Sequence, residues 1–280
     1  GEPQRGGEGG KASPAASEAG RPGRARRTSL HTGPPGLPPR CAGDDRHRAR
    51  EALPPPGGSK ATGPRHRLWR IRACQIITAT GAIERPLSFA GNDIPGVMLA
   101  SAVRDYVVNW GVGAGDRTVV VTNNDDAYRT AIALKQAGLD VPVIVDARAN
   151  GAGPLADAAR EMGIRVENGK AIAKVNGGKR VTGVAICAQA GSGSVLEEIA
   201  CDAVAMSGGW SPVVHLYSHC GGKLNWDDQA VMFRPDLNRR PTDQNGGGFV
   251  TPAGSANGEL ALSAVLADAT ARAKEAVKAL

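Results

Sequence analysis

Residues 76–86 read IITATGAIERP, a short apolar run that enters a turn of small residues and ends at Pro86. The run IIT is typical of a buried β-strand, because β-branched residues fit the pleated surface of a sheet. In the turn, small residues and Gly81 leave the backbone open to the close approach of a bound molecule. The motif IPGV at residues 94–97 follows and strengthens the signal. An ordinary strand-to-loop turn is the alternative that these residues leave open.

The first 66 residues differ sharply in composition from the rest of the chain. They contain no Ile, Val, Met, Phe, Tyr or Trp, so they cannot bury enough apolar surface to offset the entropy of ordering their backbone. Residues 1–70 carry 14 Lys and Arg against 6 Asp and Glu, whereas the remainder carries 20 against 21. The sequence therefore predicts a basic, disordered tail over residues 1–66. Because no aromatic residue accompanies its arginines, we expect no nucleic-acid partner.

Residues 118–146 predict a strand–helix–strand unit of the Rossmann type. TVVV at residues 118–121 is a β-branched run, as in a strand buried on both faces of a parallel sheet. Residues 127–137 have a helical pattern, and VPVIVD at residues 141–146 supplies the second strand.

The turn between the first strand and the helix of this unit is TNNDDAY, residues 122–128. It lacks the glycines that let a pyrophosphate approach a helix N-terminus, and Asp125 and Asp126 would repel one. Asp146 stands at the end of the second strand, where an acid that binds a ribose would lie. We interpret the turn as structural, with a working nucleotide site as the less favoured alternative.

Three extended runs, at residues 171–175, 180–188 and 198–206, predict a small β-meander, because the hairpin signal NGGK joins the first two. The third run continues into AVAMSGGWSP, residues 203–212. Its small residues and proline repeat the pattern of the opening segment, so we expect the chain to cross back to another unit here.

The segment AGSANG at residues 253–258 precedes an Ala-rich amphipathic helix at residues 260–280, which we expect to face the core. Small residues that open a helix would let a dinucleotide or a flavin edge approach its N-terminus. A plain helix start is the alternative.

Four segments together resemble the alpha subunits of heterotetrameric sarcosine oxidases: residues 72–104, 122–131, 207–227 and 250–258. TNNDDAY is the most specific part, because disulfide-reductase-type enzymes keep glycines in this turn. The resemblance covers about residues 67–280. It implies an α/β fold of the Rossmann-like, two-dinucleotide-binding, disulfide-reductase-like class, incomplete here, with a small β-meander and a disordered N-terminal tail.

The resemblance also implies a domain order. Residues 67–115 and 203–280 would be the remnant of a first FAD/NAD-binding domain, and residues 116–202 would form a second Rossmann-like domain with the β-meander. In the family, a GxGxxG unit precedes the opening segment and holds the pyrophosphate. The corresponding span of this chain is the Gly/Pro/Arg-rich tail, residues 1–66, which carries no such fingerprint.

The function implied is that of a truncated alpha subunit that carries no catalytic residue of its own. The family's alpha subunit binds NAD, and FAD and FMN lie in or against the beta subunit. The whole enzyme, with beta, gamma and delta partners, converts sarcosine, O2 and water to glycine, formaldehyde and H2O2, and tetrahydrofolate can accept the one-carbon unit. A proline dehydrogenase or opine oxidase type of subunit is one alternative, and a non-functional fragment that binds no dinucleotide is another.

The resemblance places the cofactor-binding residues in two of the quoted segments. These residues are Thr80, Gly81, Ala82, Gly254, Ser255, Ala256, Asn257 and Gly258. We expect Trp210 and Trp226 to serve packing or subunit contacts.

Several other functions are not supported by the sequence. The five cysteines form no CxxC pair, which argues against a disulfide framework and favours reduced thiols. His215, His219 and Cys220 have a spacing that could hold a metal on a helix, but no fourth ligand is evident, so we predict no metal site. No apolar run is long enough to span a bilayer and no signal peptide is visible, so we expect a cytoplasmic protein without a membrane partner.

Overall fold

The computed structural model describes residues 71, 73–244 and 246–279. These residues form fourteen β-strands, five α-helices and one 3₁₀ helix at Gly254–Asn257. The strands β1 to β14 are, in order, Ile76–Thr78, Ala82–Glu84, Val97–Leu99, Thr118–Thr122, Ile144–Asp146, Val166–Asn168, Lys170–Gly177, Val181–Ala188, Val195–Ala200, Ala203–Ser207, Trp210–Pro212, Leu224–Asp227, Met232–Pro235 and Val250–Pro252. The helices α1 to α5 are Ala100–Trp110, Asp126–Gln136, Pro154–Glu161, His215–His219 and Leu262–Lys278. The tail predicted over residues 1–66 lies outside the described residues.

The largest sheet has five strands in the order β3-β10-β4-β5-β6, and every neighbouring pair is parallel. Strand β4, helix α2 and strand β5 form the strand–helix–strand unit that the sequence predicts. Gly138 follows α2 with a φ of 82°, a left-handed conformation that glycine adopts without strain. The prediction of a Rossmann-like unit is confirmed.

Strand β4 is buried on both faces of this sheet, because successive side chains of a strand point in opposite directions. Val120 packs into a cluster with residues of α1, α2 and α3. Val119 and Val121 pack on the other face, in a cluster with Val184 and Ile186 of the meander. Helices therefore cover one face and the meander covers the other, which explains the uninterrupted β-branched run.

The meander consists of β7, β8 and β9 in an antiparallel sheet. The third extended run, expected as one strand over residues 198–206, is two strands, so that prediction is wrong. The chain leaves the meander at Asp202, whose carboxylate accepts hydrogen bonds from the backbone N–H of Asp116 at 3.0 Å and of Arg117 at 2.9 Å. Burial alone would raise the pKa of Asp202, but these N–H donors outweigh it and lower the pKa. The redirected chain becomes β10 of the parallel sheet.

The parallel sheet uses more of the chain than residues 116–202. Strands β3 and β10 belong to it, and α1 packs against α2. The domain division expected from the resemblance assigns these three elements to the first domain. The strand pairing favours limits near residues 96 and 207 for the second unit, and we propose the division with those limits.

The remaining strands form three small sheets. β1 pairs with β14 in parallel, β2 pairs with β11 antiparallel, and β12 and β13 form a hairpin. Helix α5 contacts β1 and the 3₁₀ helix. None of the side chains described in α5 is buried, and Leu262 and Leu266 are 75% and 60% exposed. The expectation of a core-facing helix is therefore wrong for the described residues, because every described side chain of α5 is half-buried or exposed.

Three of the described cysteines, Cys187, Cys201 and Cys220, are free, whereas Cys74 is in a disulfide. The expectation of reduced thiols is therefore wrong at Cys74, because spacing alone does not reveal which cysteines approach each other in space. None of the described helices has the length and apolar character needed to cross a membrane.

Candidate functional site

The two segments predicted to bind a cofactor follow two strands that lie side by side. Strand β1 leads into the turn at residues 79–81, and β14 leads into the 3₁₀ helix. The backbone N–H of Ala253 donates to the carbonyl oxygen of Thr78 at 3.1 Å, so the pairing continues to the ends of both strands. Ligands of α/β proteins bind outside the carboxyl ends of parallel strands. The structure therefore brings both segments to the position expected of such a site.

The turn after β1 is fixed by two hydrogen bonds to Val213. The hydroxyl of Thr80 donates to the carbonyl oxygen of Val213 at 2.7 Å, and the N–H of Val213 donates to the carbonyl oxygen of Gly81 at 2.9 Å. Gly81 has a φ of 74°, and no atom would lie within 4 Å of an added Cβ. Backbone conformation, and not lack of space, therefore requires glycine here.

The segment at residues 254–258 differs from its prediction. It forms a separate 3₁₀ turn, and α5 begins only at Leu262, so these small residues do not open the long helix. The physical reason is a carboxylate of α5: Asp268 accepts a hydrogen bond from the N–H of Gly254 at 2.8 Å and one from the amide of Asn257 at 3.1 Å. These bonds hold the segment against the side of α5.

A cleft of about 540 Å³ opens between these segments and the parallel sheet. Two of the eight predicted residues, Ala82 and Ser255, line it. The other six are not among its lining residues. The rest of the lining was not predicted from the sequence: Arg104, Asn124, Asp125, Asp126, Arg129, Leu155, Trp210, Leu260 and Ala261.

The charges of the cleft are balanced by ion pairs. Asp126 lies 3.1 Å from Arg104 and 3.5 Å from Arg129, and Asp125 lies 2.7 Å from Arg148. The expectation that Asp125 and Asp126 repel an anion as free charges is therefore too simple, because each carboxylate has a cationic partner. Arg104 and Arg129 are both inside segments that carry the resemblance. Trp210 and the two arginines line the same cleft, which therefore combines an aromatic side chain with cationic groups.

Asp146, the candidate ribose-binding acid, is fully engaged inside the protein. Its side chain is 0% exposed. It accepts a hydrogen bond from the hydroxyl of Tyr128 at 2.8 Å and two from the guanidinium of Arg148 at 3.0 and 2.7 Å. Burial and the bond to Asp146 raise the pKa of Tyr128. Because every carboxylate oxygen has partners, Asp146 has no capacity left for a ribose, which agrees with a structural role for the turn after β4.

The histidines weighed as metal ligands, His215 and His219, stand at the two ends of the five-residue helix α4. Among the residues that the structure describes, no group of three or more His, Cys, Asp or Glu is arranged to hold a metal ion.

Comparison with known proteins identifies two kinds of relative. No family model matches the chain. The alpha subunit of sarcosine oxidase from Rhizobium meliloti (strain 1021) is 38% identical over 217 residues, which are 78% of this chain and 20% of that protein. The alpha subunit from Corynebacterium sp. (strain P-1) is 42% identical over 185 residues, which are 64% of this chain and 19% of that protein.

The structural comparison supports the fold class. Thioredoxin reductase from T. acidophilum superimposes with a TM-score of 0.56 at 18% identity, over 75% of this chain and 66% of that chain. At this identity the likeness shows the fold alone, and it confirms the predicted disulfide-reductase-like α/β class. This chain spans about one fifth of the length of its curated relatives. Over that part, the sequence identity shows that the chain belongs to the family of sarcosine oxidase alpha subunits.

Proposed function

We propose that this chain supplies part of the dinucleotide-binding region of the alpha subunit of a sarcosine oxidase-type amine oxidoreductase. In the complete enzyme, sarcosine, O2 and water would give glycine, formaldehyde and H2O2. NAD is the ligand proposed for this chain, and FAD and FMN would act in the complete enzyme. The partners proposed are the beta, gamma and delta subunits, with tetrahydrofolate as acceptor of the one-carbon unit.

One observation carries this proposal: segments far apart in the chain meet at one cleft. Ala82 follows the turn after β1, Ser255 lies in the 3₁₀ helix, and Trp210 begins β11 after the crossover. The first two belong to the residues that the resemblance assigns to the cofactor. Their convergence at the carboxyl ends of β1 and β14 supports a ligand site of the first dinucleotide fold.

The proposal gives each group a binding or orienting role. The turn at Thr80, Gly81 and Ala82 and the segment Gly254 to Gly258 would hold NAD, which supplies hydride-transfer chemistry when bound. Ser255 offers a hydroxyl to the cleft, and Trp210 offers an aromatic surface. The carboxylate of Asp146 takes no part, because Tyr128 and Arg148 occupy it. No residue of the chain is proposed to act as an acid, a base or a nucleophile.

The proposal predicts weak NAD binding that a bulky residue in the cleft removes. With a Kd of about 1 mM, about 5 mM NAD would stabilise the full chain by about 1 kcal/mol, which raises Tm by about 2–4 °C. Ala82→Trp would abolish this shift because Ala82 lines the cleft. Ile83→Trp is the matched control, since Ile83 is next in the same strand and is 57% exposed.

Thermal unfolding followed by circular dichroism measures the effect. The expected result is a shift for the parent chain and for Ile83→Trp, and none for Ala82→Trp. Equal increases in Tm for all three proteins would mean that NAD binds outside this cleft. No shift in the parent chain would contradict NAD binding.

The amine substrate needs a separate assay on the complete enzyme. The full-length subunit, expressed with its beta, gamma and delta partners, is expected to release H2O2 and formaldehyde from sarcosine. Turnover of proline or an opine in place of sarcosine would instead favour the alternative subunit types of the same fold.

A further inference from the structure

We propose that Asp268, with Arg234, positions the segment at residues 254–258 so that Ser255 faces the ligand of the cleft. This inference rests on the proposed function for the identity of the ligand. It goes beyond that function because it assigns a role to two residues outside the cleft. Asp268 belongs to α5 and Arg234 to β13, and neither lines the cleft.

Asp268 holds the beginning of the segment. One carboxylate oxygen accepts the N–H of Gly254 at 2.8 Å, and the other accepts the side-chain amide of Asn257 at 3.1 Å. The side chain of Asp268 is only 11% exposed, so water competes little for these bonds. Arg272, one turn further along α5, donates from Nε to the same carboxylate at 3.1 Å and balances its charge.

Arg234 holds the end of the segment. Its Nη2 donates to the carbonyl oxygen of Gly258 at 2.6 Å and to the carboxylate of Glu259 at 3.3 Å. A Cβ on Gly258 would overlap the guanidinium of Arg234, so a side chain at position 258 would displace that guanidinium. The carboxylate of Asp268 thus fixes the segment at Gly254 and Asn257, and the guanidinium of Arg234 fixes it at Gly258.

The backbone of the segment needs such support. Gly254 has a φ of 62° and Gly258 a φ of 91°, and the two glycines enclose a single 3₁₀ turn. Glycine has the largest conformational freedom of any residue in the unfolded chain, so a segment bounded by two glycines is costly to order. Charge-assisted hydrogen bonds are about twice as strong as neutral ones, which suits them to this task. A displacement of about 1 Å in a binding group can remove much of its contribution to the free energy of ligand binding.

The test compares Asp268→Ala with Glu275→Ala in the full chain. Glu275 is a matched control, because it also binds Arg272, at 2.7 Å, but makes no bond to residues 254–258. The first measurement is hydrogen–deuterium exchange without ligand. Asp268→Ala is expected to accelerate exchange of the amides of residues 254–258 by about tenfold or more, whereas Glu275→Ala leaves them unchanged.

The second measurement is NAD affinity, at a temperature where circular dichroism shows every variant folded. Asp268→Ala is expected to raise Kd by about tenfold, equivalent to the loss of about 1.4 kcal/mol, and Glu275→Ala by less than about twofold. Asp268→Asn keeps one acceptor oxygen and should fall between the two. It also serves as the test variant if the alanine variant does not fold.

The outcomes separate this inference from the proposed function. Unchanged exchange in the Asp268 variants would overturn the positioning role, whatever the affinities. Faster exchange of these amides with an unchanged Kd for NAD would overturn the role of Asp268 in ligand binding. The binding of NAD itself would then still stand. Failure of the parent chain to bind NAD would overturn the proposed function and the ligand part of this inference, and the exchange data would still decide whether Asp268 fixes the segment.

Discussion

At the scale of single residues, the structure changes the meaning of the acidic groups near the turn after β4. The sequence shows Asp125, Asp126 and Asp146 as charges without partners. In the fold, Asp126 meets Arg104 from α1, and Arg148 bonds both Asp125 and Asp146. Arg104 is 22 residues before Asp126, and Arg148 is 23 residues after Asp125, so no local pattern reveals these two pairs. A charge seen in a sequence is therefore a poor measure of the field that a ligand would meet.

Tyr128→Phe tests the internal role of Asp146. Loss of the bond from the hydroxyl to a buried carboxylate should lower the free energy of unfolding by about 1–3 kcal/mol. Because the pKa of Tyr128 is raised in the folded protein, the parent chain should also lose stability as pH rises above about 10, where the unfolded tyrosine ionises first. Tyr128→Phe should lack this part of the alkaline loss.

Urea denaturation between neutral pH and pH 11 makes the comparison. Tyr106→Phe is the control, since Tyr106 is 47% exposed. If Tyr128→Phe lost as much stability at alkaline pH as the parent chain, ionisation of Tyr128 would not be the cause of that loss. An unchanged NAD-induced shift in Tm is expected for Tyr128→Phe, because neither Tyr128 nor Asp146 lines the cleft.

At the scale of elements, the sequence predicts regular structure well where one periodicity persists. β4, α2 and β5 all lie within a few residues of their expected positions. The predictions of secondary structure fail where a single side chain redirects the backbone. Asp202 divides one extended run into β9 and β10, and Asp268 turns the segment before α5 into a 3₁₀ helix. Both carboxylates act on backbone N–H groups far away in the chain, and such bonds leave no periodic signal.

The hairpin of β12 and β13 offers a test of strain at this scale. Val231, at its tip, has a φ of 51° and is the only described non-glycine residue with a positive φ. Left-handed backbone costs a β-branched residue about 1–2 kcal/mol, whereas asparagine tolerates it. Val231→Asn should therefore raise the free energy of unfolding by about 1 kcal/mol.

Val112→Asn is the matched control for this strain. Val231 is 51% exposed and Val112 is 52% exposed, so both lose similar apolar contacts, but Val112 has no positive φ. Denaturant melts of both variants measure the difference. A stability change of the same size and sign in both would mean that backbone strain at Val231 is not the cause.

At the scale of the whole molecule, the resemblance read from four segments is confirmed by relatives at 38% and 42% identity. It identifies the family, yet only two of the eight residues it assigns to the cofactor line the cleft. The rest of the lining comes from α1, the turn after β4, α2, α3, β11 and residues 260–261, and the sequence does not mark these separate elements as parts of one site. Tertiary structure alone brings these elements together, so the site could be predicted only in part.

We expect a dinucleotide to bind at the ends of β1 and β14, and not at the end of β5. Photolabelling the full chain with 2-azido-NAD, followed by peptide mapping, tests this most directly. Binding at this position should place the label in peptides that contain residues 79–84 or 253–261, and unlabelled NAD should compete with it. Competed label in the peptide after Asp146, residues 147–153, or no competed label at all, would contradict it.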